Sequence, residues 1–89
     1  MKSSQILIPN KLGLHARAAA KLVKTAAQYS ADVYLEKDNT RINGKSIMGV
    51  MMLAASKGTI ITIITDGKDE QAALQALRSL IQDGFGEEQ

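Results

Sequence analysis

An 89-residue chain that is 45% hydrophobic, 22% charged and 3% aromatic fits one domain over residues 1–89. A domain of that size buries roughly 60–65% of its unfolded surface in one modest core. The absence of cysteine excludes disulfides, thiolate metal sites and cysteine nucleophiles, and it suits the reducing cytoplasm. No segment reaches the ~18 apolar residues of a membrane span. The first residues, Met1-Lys2-Ser3-Ser4-Gln5, run into a strand-like segment without a signal-peptide core, and the apolar fraction excludes disorder.

The net charge of +2 conceals its distribution. Residues 1–31 carry five cations (Lys2, Lys11, Arg17, Lys21, Lys24) and no acid, residues 32–65 sum to +1, and residues 66–89 sum to −4. The first third is a positive end suited to an anion or an acidic partner. With three aromatics in all (Tyr29, Tyr34, Phe85), it offers little for bases to stack on, which argues against nucleic acid.

In chain order, the β-branched Gln5–Ile8 predicts a first strand, and Pro9-Asn10-Lys11-Leu12-Gly13 a loop. From Ala16 to Tyr29, Ala19, Leu22, Val23 and Ala26 recur at helical spacing, with Arg17, Ala20, Lys21, Lys24 and Ala27 on the other face. Asp32–Lys37 alternates as a half-solvated strand, Asp38-Asn39 turns the chain, and Thr40–Asn43 returns. Ser46 is a good N-cap for an apolar helix over Ile47–Ala55, which Lys57-Gly58 should end. Thr59–Thr65, with four isoleucines, predicts a central strand. Asp69 caps a last helix, whose stripe of Ala73, Leu77, Leu80 and Ile81 stops at Gly84. The order β-α-β-β-α-β-α implies an α+β domain of two layers, helices on one face of an antiparallel sheet. The pattern leaves the strand order open, and a ferredoxin-like sheet fits the first six elements equally well.

The sole histidine, His15, stands where the loop becomes the first helix. The unpaired N–H groups of a helix start carry about half a positive charge and bind anions. That field disfavours imidazolium and leaves a lone pair for nucleophilic attack. Arg17, in the first turn, opposes the helix dipole at a cost of a few tenths of a kcal/mol up to about 1. Folding offers no return for that placement, whereas a guanidinium fork recognises phosphate. Lys21 and Lys24 extend the field from a distance too great for direct contact. No metal site and no cofactor are evident.

The second helix lacks a polar face. Val50, Leu53 and Ala54 supply an inward stripe, Met52 fills a core gap, and Ile47, Met48 and Met51 are left for a transient partner. The patch should cover a few hundred Å2. A phosphate on Ser46 is tolerated by the helix terminus and hinders burial of Ile47 and Met48 by that partner.

Two segments, Leu12-Gly13-Leu14-His15-Ala16-Arg17 and Lys45-Ser46-Ile47-Met48-Gly49-Val50-Met51, resemble the signature segments of HPr, the histidine-containing phosphocarrier family of the bacterial phosphoenolpyruvate-dependent phosphotransferase system. The resemblance extends to length and element order. It implies an open-faced two-layer β-sandwich, four antiparallel strands in the order 1-4-2-3 with three helices on one face. It also implies that His15 takes a phosphoryl group on Nδ1 from enzyme I and passes it to enzyme IIA domains, helped by Arg17 and the Ala16 and Arg17 amides. Ala20, Lys24, Ala27, Ile47, Met48 and Met51 match docking positions. Ser46 matches a regulatory site of HPr kinase/phosphorylase. Ala18 stands where the family usually has proline, which pre-sets the first helical turn, so transfer rate or partner choice should differ. The loop Asn10–Gly13 is similar to the nitrogen-related branch and the Ser46 segment to the sugar branch, which leaves the branch open.

These residues describe a cytoplasmic, monomeric, stoichiometric carrier rather than a turnover enzyme. A regulatory module that acts by docking is the alternative. A small hydrolase on a ferredoxin-like sheet is disfavoured, because the sequence shows no acid–base pair near His15.

Overall fold

The structure, a computed structural model, describes residues 1–87. In chain order it has β1 (Lys2–Leu7), α1 (Ala16–Ala26), β2 (Asp32–Lys37), β3 (Thr40–Asn43), α2 (Ile47–Met52), β4 (Ile60–Asp66) and α3 (Glu70–Gln82), followed by a 3-10 turn at Gly84–Gly86. The strands pair antiparallel in the order β1-β4-β2-β3, the order that the resemblance implied and the pattern could not supply. The ferredoxin-like alternative is excluded by it.

The isoleucine-rich strand is central because it packs well on both sides. Ile61 and Ile63 turn toward the helices and are fully buried, while Ile64, on the opposite face between Ser3 and Tyr34, is 5% exposed. Ile6, Val33 and Leu35 complete the inner face of the sheet. Ala18, Ala19, Leu22 and Ala26 of α1, Val50 of α2, and Ala73, Leu74, Leu77 and Ile81 of α3 close over it. Each fully buried Ile or Leu contributes about 1.5–3 kcal/mol. Val23 and Leu80, expected in the stripes, are only partly buried at their margins.

Pairing with β4 extends β1 three residues earlier than its composition suggested, since Lys2 lies opposite Thr65. The β2–β3 turn uses Asp38 and Asn39 at φ 50° and 66°, the positive values a tight hairpin needs. Helix α1 ends at Ala26 rather than Tyr29, because Gln28 and Tyr29 bond back three residues, to Thr25 and Ala26. Lys45 Nζ then caps the Tyr29 carbonyl at 2.7 Å.

Three expectations fail in α2, and one is the inward stripe: Val50 and Leu53 are buried, but Ala54 is exposed. The helix ends at Met52, not Ala55: Leu53 and Ala54 bond three residues back, and Ala54 takes the left-handed φ of 54° that Gly58 was expected to supply. Lys37 Nζ donates to the end carbonyls of Leu53 and Ala54, both at 3.3 Å. Met52 does not fill the core; it is 75% exposed. Two positions beyond the buried Val50, it lies about 200° around the helix and points outward.

Helix α3 brings a further correction. Asp69 stands before its first turn, but its carboxylate does not cap the helix. It reaches across to accept the backbone N–H groups of Ser30 at 2.9 Å and Ala31 at 2.8 Å. The helix stops before Gly84, at φ 64°, as the sequence predicts.

Candidate functional site

The loop between β1 and α1 sets where His15 stands. Ile8 is paired on both sides, its N–H to Thr59 and its carbonyl to Gly58. Asn10, fully buried, donates through Nδ2 to the Gly13 carbonyl at 2.8 Å, and Leu14 N–H donates to the Ala55 carbonyl at 2.9 Å. Gly13 has φ 65°, and a Cβ there would lie 2.5 Å from the Ala55 oxygen. Only glycine lets the loop lie this close to the end of α2.

His15 is the N-cap residue of α1, in extended conformation. Its carbonyl accepts the first helical bond, from Ala19 N at 2.8 Å, while its side chain does not cap the helix. The first turn of α1 contains no acid. The ring, 26% exposed, lines a cavity of about 790 Å3 with Lys11, Arg17, Lys21, Gly86 and Glu87. Arg17 is exposed and makes no ion pair among the described residues, so its guanidinium is available to an incoming anion.

The sequence reading missed the partner of that ring. Glu87 Oε2 lies 2.6 Å from His15 Nε2, and Glu87 Oε1 accepts from Asn10 Nδ2 at 3.0 Å. Burial pushes the Glu87 carboxyl up, but hydrogen bonds from Asn10 and His15, with the nearby charges of His15 and Lys21, outweigh it and hold the group below the usual carboxylate range. The residue is delivered by the 3-10 turn. Phe85 is buried at φ 59°, and its carbonyl accepts from Lys21 Nζ at 2.6 Å. Lys21, expected only to extend the field from a distance, lines the cavity and ties its far wall. The expectation that no acid stands near His15 is likewise overturned. A separation of 72 residues hid the pair from any motif; the acidic last third was its only trace.

The other candidates spread outward from the ring. Ala16, the first helical residue, and Ala20, Lys24 and Ala27 are exposed along α1. Helix α2 packs beside it and turns out Ile47 (44% exposed), Met48 (74%) and Met51 (43%). Leu12, 68% exposed at the rim of the cavity, extends the apolar surface and was missed as a loop residue. Ser46 caps α2, its Oγ accepting from Gly49 N at 3.1 Å. Ala18, in place of the usual proline, is fully buried. Among the described residues no His, Cys, Asp and Glu cluster could hold a metal ion, and no helix is long and apolar enough to cross a membrane.

Comparison with solved structures gives the class first. The fold matches a crystal structure of HPr-C-His from Thermoanaerobacter tengcongensis, with a TM-score of 0.97 and 48% identity over the whole of both chains. The family model described as the PTS HPr component phosphorylation site matches residues 2–83. The phosphocarrier protein HPr of Neisseria meningitidis is 55% identical over 87 residues, 98% of each chain. The HPr-like protein Crh of Bacillus subtilis is 46% identical over 83 residues, 93% of this chain and 98% of its own. The chain belongs to the HPr family, the phosphocarrier proteins of the phosphotransferase system.

Proposed function

We propose that this chain, as a single domain over residues 1–89, is a monomeric, cytoplasmic phosphoryl carrier rather than a turnover enzyme. His15 Nδ1 attacks the phosphorus of the phosphohistidine on enzyme I. The new N–P bond forms as the donor's breaks, and a second transfer passes the group to an enzyme IIA domain, serving sugar uptake and regulation. The observation that carries this reading is the histidine standing at the start of α1 in an open cavity, its Nδ1 without a hydrogen bond among the described residues, beside an Arg17 that makes no ion pair among them. Transfer needs little more than in-line positioning and charge neutralisation, which the Ala16 and Arg17 amides and the Arg17 guanidinium supply. Ala20 and Lys24 on α1 and Ala27 at its C-cap, with Ile47, Met48 and Met51 on α2, form the docking surface for both partners. Ser46 is a regulatory site for HPr kinase/phosphorylase, because a phosphate there charges the edge of that surface.

Incubation with enzyme I, Mg2+ and labelled phosphoenolpyruvate tests the proposal. The expected result is acid-labile label that is absent from His15→Ala; no label on the parent chain overturns it. A second reading, a regulatory member that acts by docking, is favoured by Ala18 and by the similarity to Crh. It predicts partner binding without transfer.

A further inference from the structure

We infer that Glu87 is a positioning residue for His15: its carboxylate holds the imidazole in the tautomer that carries the proton on Nε2, so that Nδ1 keeps the lone pair. The inference rests on the carrier reading above and adds to it how the reacting nitrogen is chosen.

The contact is 2.6 Å between Nε2 and Oε2, short for an N–H···O bond, in keeping with an ionised acceptor. An ionised carboxylate only accepts, so Nε2 must donate. A neutral imidazole has one N–H, and with it on Nε2 the other ring nitrogen is the base. Among the described residues nothing hydrogen-bonds to Nδ1. The carboxylate is itself oriented: its second oxygen accepts from Asn10 Nδ2, and Asn10 is fully buried and anchored to the Gly13 carbonyl. Nucleophile, carboxylate and orienting amide thus form a chain of three, Asn10–Glu87–His15, drawn from both ends of the sequence.

The arrangement also removes a proton transfer from the relay. When the Nδ1 lone pair bonds to phosphorus, the donor N–P bond breaks and its electron pair stays on the donor ring nitrogen. His15 becomes a phosphorylated imidazolium whose Nε2 proton remains in place beside the carboxylate. When the acceptor histidine attacks the phosphorus, the N–P pair returns to Nδ1 and the starting tautomer is restored. No proton leaves Nε2 in either direction.

The test uses the full chain, 15N-labelled, with Glu87→Ala and Glu87→Gln. Long-range proton–nitrogen correlation of the His15 ring, at a pH where it is neutral, reports the tautomer. Initial rates of label uptake from enzyme I report transfer. The parent should show the Nε2–H form alone. Glu87→Ala should show a mixture of tautomers and transfer about tenfold slower, the loss of one hydrogen bond to a charged group. Glu87→Gln keeps an acceptor oxygen, so it should restore the tautomer while its rate lies between the two. A mixture already present in the parent, or an unchanged ring and rate in Glu87→Ala, overturns the assignment. If the parent takes up no label, the carrier reading fails, and the ring spectra still decide whether Glu87 sets the tautomer.

Discussion

The backbone N–H of Leu14 donates to the carbonyl of Ala55 at 2.9 Å, which fastens the loop before His15 to the end of α2. The closeness of that contact makes Gly13→Ala a sensitive probe. A methyl group would meet backbone, the Ala55 oxygen at 2.5 Å and Ser56 Cα at 2.8 Å, on a residue already at φ 65°. Neither obstacle is a flexible side-chain end, so the loop must shift. The substitution should cost about 2–3 kcal/mol in urea unfolding and slow phosphotransfer without altering any group that touches phosphate.

Arg17 offers the complementary experiment, in which chemistry suffers and stability does not. Its side chain is exposed and unpaired among the described residues. Removing it should not lower stability and, by relieving the opposed dipole, should raise it by a few tenths of a kcal/mol up to about 1 in urea unfolding. Losing a charge-assisted, bidentate phosphate contact should lower the transfer rate about 10–100-fold in Arg17→Ala. Arg17→Lys restores the charge but not the fork, and its rate should fall between. Rapid-quench measurement of label uptake checks both.

Ser46 separates capping from signalling. Its Oγ accepts from Gly49 N, and α2 has no acid in its first turn. Ser46→Ala should lose about 1 kcal/mol as the cap disappears. Ser46→Asp keeps an acceptor and adds a negative charge at the positive end of the helix, so its stability should equal or exceed the parent's. If the α2 face docks partners, the same aspartate should weaken enzyme I binding by calorimetry, while Ser46→Ala should not.

Met48 and Leu35 share an apolar character and differ entirely in location. Leu35 is fully buried on the inner face of β2, and truncation to Ala should cost about 2–5 kcal/mol. Met48 is 74% exposed, and Met48→Ser should change stability by less than about 0.5 kcal/mol. Its effect should instead appear as weaker binding of enzyme I in a titration.

Asp69 governs an acid transition. The Ser30 amide bond, chiefly, with the Ala31 amide in support, outweighs the opposing desolvation and holds its carboxyl below the usual range. With the folded pKa below the unfolded one, the unfolded chain binds the proton first as pH falls. The stabilisation is therefore complete above the ordinary aspartate pKa of about 3.9 and disappears as pH drops through the lower folded value. Asp69→Asn should be less stable than the parent at pH 7, and the difference should shrink below pH ~4. Urea unfolding across that range checks the slope.

Local chemistry was legible in the sequence where a residue acts on its neighbours. Four isoleucines made β4, Ser46 capped α2, Gly84 ended α3, and His15 with Arg17 marked a helix start. Contacts across the fold were not legible. Asp69 looks like a cap and serves another loop, because two free amides at Ser30 and Ala31 lie within its reach. Met52 looks like core, but two positions beyond the buried Val50 it lies about 200° around the helix and faces solvent. Strand order depends on which strand buries both faces, and no periodicity encodes that. Glu87 and Asn10 are ordinary polar residues in sequence and become a site only when the 3-10 turn lies against α1.

That turn makes the readiness of His15 a property of the whole folded chain. The ring and its carboxylate are 72 positions apart, so loop closure delays their meeting until sheet and helices have docked. Opening of the 3-10 turn, held by Phe85 and Lys21, releases Glu87 from His15 and Asn10 at once. A local opening of the 3-10 turn at Gly84–Gly86 then becomes a fluctuation in which ring nitrogen of His15 carries the proton. Exchange protection of the amides near Phe85 would then rise and fall with the population of the competent tautomer.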